Sequence, residues 1–136
     1  STMNRTHLEG AAEKLTAQRG YTFYTGPEDD MGHTVRNYPA AWLAPPELHA
    51  VEGRTHGRAT YDMTLHLLRP GARISPAERR TALAEMEAQM IEIFAELSLD
   101  ERILAVEGLS VRPRSFSLTP HGEISQTATA RIVTWF

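Results

Sequence analysis

The residues of this chain with chemistry to offer are six histidines, a run of three acids and a scatter of serines. The histidines are His7, His33, His49, His56, His66 and His121. A zinc site on a helix wants imidazoles at tight intervals, above all i and i+4. No two histidines here stand at that spacing. His49, His56 and His66 could converge across a hairpin with Asp62 beside His66, but surface histidines without a ligand role are the plainer reading. Glu28-Asp29-Asp30 has the charge to hold a cation but lacks the twelve-residue calcium-loop pattern. It reads as a solvated loop.

Ser110, Ser115, Ser117 and Ser125 lie in strand or turn context, and none sits in a Gly-x-Ser-x-Gly elbow. A hydroxyl triad is assembled in space, so a hydrolase reading would require His66 or His121 to meet a serine and an acid. The chain has no Walker loop and no GxGxxG after a strand. Arg79-Arg80 and Arg112-Pro113-Arg114 are the local basic concentrations, without the interleaved aromatics of a nucleic-acid surface. Both read as ordinary surface charge. The Met86/Met90 pair reads as core filler, which suits a flexible thioether. The sequence therefore assigns no catalytic residue, no metal ligand and no cofactor.

The bulk numbers agree with a plain globular part. One domain over residues 1–136 is expected, with Ser1-Thr2 read as a cloning remnant ahead of a native Met3. A chain of this size buries about two-thirds of its unfolded surface, enough for one core without staples. The formal net charge of −3 implies no strong overall pull toward nucleic acid or anionic membrane. Cysteine is absent, which excludes disulfides and thiolate chemistry and sits easily with a reducing cytoplasm. No apolar run approaches the roughly 18 residues of a membrane span, and no apolar signal segment opens the chain. Lys14 is the only lysine, and the scattered arginines read as a compositional bias.

The elements that must position these residues are well punctuated. Thr6-His7-Leu8-Glu9 fits a capping box, and Leu8, Ala11, Ala12 and Leu15 follow on one helical face, so a helix is predicted over Arg5–Arg19, stopped by Gly20. Tyr21–Tyr24 has strand character, followed by the acidic loop. Tyr38–Ala44 is a Pro-led apolar strand, Leu48–Val51 a short one, and Gly53–Gly57 a turn. Over Arg58–Leu68 the alternation is strict: Ala59, Tyr61, Met63, Leu65 and Leu67 point inward, while Thr60, Asp62, Thr64 and His66 form a wet face. Ser75-Pro76-Ala77-Glu78 combines a capping box with proline at the first helical position. It predicts a long helix over Pro76–Leu97. Leu104–Leu118, bent near Gly108 and Pro113, and Ile124–Trp135 close the chain as strands around a type II turn at Thr119-Pro120-His121-Gly122. The fold class expected is α+β, a mainly antiparallel sheet with two principal helices packed on one face.

That order of elements resembles the tail terminator proteins of long-tailed bacteriophages. Within it, Tyr38–Leu43, Ala105-Val106-Glu107-Gly108-Leu109 and the Thr119–Glu123 hairpin before Thr127–Trp135 look like small prophage-encoded tail-completion proteins. The resemblance implies a structural part with no catalytic residue. It implies a ring, typically hexameric, that caps the tail tube, joins other tail or head-connector proteins, and is made in the bacterial cytoplasm before entering the virion. A sheet backed by helices on one side leaves edges and a face for such a ring. The Thr60/Asp62/Thr64/His66 face is the candidate subunit contact, and Glu28, Asp29 and Asp30 form the candidate ordering or channel-facing loop, where acid would keep passing DNA from sticking. A small ligand- or protein-binding module is the competing class.

Overall fold

The computed structural model describes residues 4–53, 56–114 and 117–135. Ser1-Thr2-Met3, the middle of the Gly53–Gly57 turn and Ser115 lie outside the described residues. The elements are helix α1 (Asn4–Ala17), strand β1 (Thr22–Thr25), a 3-10 turn (Glu28–Asp30) leading into a one-turn helix α2 (Met31–Thr34), strands β2 (Ala40–Leu43), β3 (Glu47–Glu52) and β4 (Arg58–Arg69), helix α3 (Pro76–Leu97), and strands β5 (Ile103–Pro113) and β6 (Ile124–Trp135). The α+β expectation is met: six strands form one mainly antiparallel sheet in the order β1-β2-β4-β6-β5, with β3 also on β4. Among the described residues only β1 and β2 pair in parallel.

β4 is the spine of the sheet. Its 12 residues pair along their whole length with β6, from Arg58↔Trp135 to Arg69↔Ile124. On its other side β2 takes the Leu65–Leu68 end and β3 the Arg58–Asp62 end. β2 and β3 thus lie end to end along one edge. Pro45-Pro46 separates them, as expected where proline removes ladder donors, while the Ala44 N–H still reaches the Thr64 carbonyl at 3.1 Å.

Both long helices pack on the predicted face. Leu8 and Ala12 of α1 and Met86, Met90, Ile93, Phe94 and Leu97 of α3 meet Tyr61, Met63, Leu65 and Leu67 in one cluster. Each large apolar side chain sealed there contributes about 1.5–3 kcal/mol relative to exposure. α3 begins as its sequence requires. Ser75 Oγ accepts from the Glu78 N–H, and Glu78 Oε1 accepts from the Ser75 N–H, both at 3.1 Å. At its middle, Arg69 of β4 donates to Glu85 (2.8 Å), Gln89 (3.0 Å) and the Tyr21 hydroxyl (3.1 Å), fastening α3 to β4 and to the residue that leads into β1. Burial pushes the Tyr21 phenol up, with Arg69 pulling the other way.

Four expectations need correction or refinement. The helix predicted to start at a Thr6 cap is already running at Asn4, whose side-chain amide reaches Thr134 and the Trp135 carbonyl on β6. Those bonds tie the first described turn of α1 to the last strand. The strand expected over Leu104–Leu118 with a bend near Pro113 runs as a strand over Ile103–Pro113, and the Arg114 N–H still reaches the Ser125 carbonyl at 3.2 Å before residues 115–116, which lie outside the described residues. In the last hairpin the positive φ falls on Gly122 (71°), one residue beyond where a type II turn needs it. The acidic run is solvated as expected, all three residues being exposed, but it forms a 3-10 turn rather than an irregular loop, and Met31 right behind it is buried.

That last point changes the face opposite the helices. Met31 and Val35 join Ala40, Trp42 and Leu68 in a second apolar cluster, flanked by Tyr24, Tyr38 and Leu118. The segment from Gly26 to Tyr38 folds over this end of the sheet as a lid. Trp42 Nε1 donates to the Gly26 carbonyl at 3.0 Å, and the Tyr24 hydroxyl accepts from the Arg36 and Asn37 N–H groups. The far hairpin closes the lid's rim. Tyr38 and Thr119 hydroxyls meet at 2.9 Å, and the buried Glu123 carboxylate accepts from Thr119 Oγ1 (2.5 Å) and from the Leu118 and Thr119 N–H groups.

Candidate functional site

The predicted wet face divides into two unlike halves. Thr60, Asp62 and Thr64 stay partly open to solvent beside the exposed Thr129 and Arg131 of β6. His66 is overturned as a wet residue: it points to the predicted side, but the lid leaves it 0% exposed. Thr127 of β6 and Trp42 of β2 flank it in the same cross-strand row.

The structure brings His66 together with the first residue of the acidic run. His66 Nε2 lies 3.0 Å from Glu28 Oε2, and Nδ1 lies 2.7 Å from Thr127 Oγ1. Arg114 Nε donates to the same Thr127 oxygen at 3.1 Å. A carboxylate only accepts, so Nε2 carries the proton and Nδ1 accepts from the Thr127 hydroxyl. One neutral tautomer then satisfies every bond: Arg114 to Thr127, Thr127 to His66, His66 to Glu28. Burial is the largest influence on the imidazole and pushes its pKa below 6.5; Glu28 opposes that and Arg114 reinforces it.

A hydroxyl, an imidazole and a carboxylate in line are what the hydrolase reading asked for, with threonine in place of serine. Their arrangement suits a latch better than a nucleophile. Thr127 is 7% exposed, and its oxygen is already held by Arg114. The line fastens the acidic turn to the middle of the sheet. Asp29 and Asp30 are exposed.

The other sequence candidates separate. His49 Nδ1 sits 3.3 Å from Asp62, which also faces Arg131 at 3.5 Å, on the open half of the sheet. The three-histidine convergence does not form, since His66 turns to Glu28, and no group of three or more His, Asp or Glu able to hold a metal occurs among the described residues. Ser110 and Ser117 lie apart, Ser125 is buried in β6, and His121 stacks edge-on against Tyr38 at 5.8 Å between centroids.

Sequence reasoning missed a cleft of about 750 Å³ between α1 and the C-terminal end of α3. Its floor includes Ala11, Leu15 and Leu97, and Leu99 stands beside it 82% exposed. At one rim His7 Nε2 meets both oxygens of Asp100 at 2.8 Å. Against the burial that would raise it, the Arg102 N–H and His7 hold the Asp100 carboxyl below its usual range. The apolar positions of α1 were legible as a core stripe. Gly10, with open space where a side chain would stand, was the unused sign of a gap. No helix among the described residues is long and apolar enough to cross a membrane. No protein-family model matches this chain, and no curated protein matches it.

Proposed function

We propose that this chain is a structural part of a phage or prophage tail, a ring-forming tail terminator or minor tail component that caps the tail or joins it to the head. The observation that carries the reading is the division of labour in the sheet. Both long helices lie on one face, a lid covers half of the other, and the β3 and β5 edges and the Thr60/Asp62/Thr64 surface stay free. A subunit built to assemble needs such unspent edges and faces. The element order behind the resemblance, from the Pro-led β2 through β4 and α3 to the β5–β6 pair, is the order of this fold. The reading assigns no catalytic step and no cofactor. Its partners are further copies of itself and neighbouring tail or head-connector proteins, met in the host cytoplasm and kept in the virion.

The reading requires a tail-tube protein in the same genome, and the test is co-expression with that protein. Tubes should carry the tagged chain at one end, seen by gold labelling under negative stain, and should stop growing there. Tubes of unlimited length with bare ends refute the reading.

A second reading, a small binding module, draws on the cleft between α1 and α3. Its size is that of a small-molecule site, and its lining mixes Ala11, Leu15, Leu97 and Leu99 with polar and charged groups such as His7, Lys14 and Asp100. A fragment screen by NMR, with shifts confined to residues such as Ala11 and Leu97, would favour it over the tail role.

A further inference from the structure

The free edges of the sheet match each other. Cross-strand partners define rows that run from one edge to the other: Val51–Ala59–Thr134–Ile103, Ala50–Thr60–Val133–Ala105 and Leu48–Tyr61–Ile132–Val106. β3 and the first half of β5 therefore stand at the same height on opposite edges. Their directions are opposite as well, because β3, β4, β6 and β5 alternate antiparallel. A second copy set beside the first continues that alternation without being turned over along the Ile103–Val106 half of β5. β1, paired outside β2, fills the rows level with Val111–Pro113, so the neighbour's β5 must turn away at its Glu107/Ser110 shift.

The side chains agree. Leu48 and Val51 are 52% and 54% exposed. They pair with Tyr61 and Ala59, so they share the helix face of the sheet. Beside β5 of another copy they would extend the apolar layer past Ile103 and Val106. β3 carries Glu47 and Glu52 with no Lys or Arg, whereas residues 102–114 carry Arg102, Arg112 and Arg114 against Glu107. In the shared rows Glu52 comes level with Arg102, whose carbonyl accepts from the Trp135 N–H at 3.0 Å. Glu47 comes level with Glu107, the one like-charge meeting. Register shifts at Leu48/Ala50, Ile103/Ala105 and Glu107/Ser110 shorten the usable edge, so the contact is a short, reversible one rather than an aggregation seam.

We propose that copies of this chain join head to tail, β5 of one pairing antiparallel with β3 of the next, so that the sheet runs on from copy to copy. Such a heterologous contact closes into a ring or winds into a filament according to the rotation between copies. The inference deepens the ring reading and rests on it for its biological setting.

The absence of native cysteine makes the contact directly testable. Ala50→Cys and Ala105→Cys place two small, half-buried residues in one shared row, close enough for a disulfide between copies. Oxidation of the full-length double variant should give a ladder of covalent oligomers, and neither single variant should dimerise. Glu52→Arg in the double-cysteine background should abolish the ladder, and adding Arg102→Glu should restore it. A double variant that stays monomeric, or single variants that dimerise through like edges, overturns the proposal. Tube capping without a ladder would remove this contact and leave the tail reading standing; a ladder without capping would do the reverse.

Discussion

His66 is fully enclosed, yet Glu28, the carboxylate it touches at 3.0 Å, keeps half of its side chain in water. The pair is therefore a fastening between a sealed sheet position and the rim of the lid, and its strength depends on the charge of the imidazole. Burial holds His66 below 6.5 in the folded state, with Glu28 opposing and Arg114 adding to the shift. The unfolded chain thus takes up a proton first as pH falls. Stability is at its full value above about 6.5 and is lost as pH drops from there toward the folded pKa; below that, no further loss comes from this group. Urea midpoints measured from pH 7.5 to 4.5 should fall more steeply for wild type than for His66→Gln. Parallel profiles would show that the sheet and lid do not perturb His66, and a wild type that gains stability on acidification through this window would show that Glu28 outweighs burial.

The three acids of the turn should behave differently. Asp29 and Asp30 are exposed and make no described side-chain bond, so lysine at either should move stability by no more than about 0.5 kcal/mol. Glu28→Lys sets a cation against a buried imidazole beside Arg114. After discounting for its half-exposed position, a loss of about 1 kcal/mol is expected. Equal effects at all three positions in thermal melts would show the turn is held by its backbone alone.

Leu65 sits where β4 meets the helices and is wholly buried among them. Leu65→Ala should cost about 2–5 kcal/mol, the range depending on how far α3 can settle into the space. A melting temperature within error of wild type would mean the helix face had been assigned backwards.

Much of this layer was legible because its signals are local. The alternation from Ala59 to Leu67 gave the core face of β4, and Ser75-Pro76-Ala77-Glu78 gave the first turn of α3 through bonds spanning three residues. β6 runs over Ile124–Trp135 as its alternating pattern indicated. The side on which His66 points was legible too; its burial was not. That burial comes from a segment 38 residues upstream, whose Gly, Pro and acids look like a loop because their packing partner, Trp42, lies in a separate strand 16 residues beyond Gly26. The parallel β1–β2 pair and the Asn4 anchor on β6 escaped for the same reason. Tertiary contacts at long separation leave no periodicity to read.

The turn after β4 offers a paired prediction in which space and backbone angle act separately. Gly71 lies against the start of β6. A Cβ there would stand 2.8 Å from Ile124 Cγ2, 2.9 Å from the Gly122 carbonyl oxygen and 2.9 Å from the Ile124 nitrogen. Two of these are backbone atoms that cannot swing aside, so Gly71→Ala should destabilise by about 1–3 kcal/mol despite an ordinary φ. Two residues on, Arg73 holds φ at 64°, a region that costs a side-chain-bearing residue about 1–2 kcal/mol. Glycine relieves that strain but loosens the unfolded chain by roughly 0.4–1 kcal/mol. Arg73→Gly should therefore leave stability unchanged or raise it by up to about 1.5 kcal/mol. Chemical denaturation of the two variants should move the midpoints apart, alanine downward and glycine level or upward. A clear loss in Arg73→Gly would show that the arginine side chain holds this turn and that its backbone angle carries little strain.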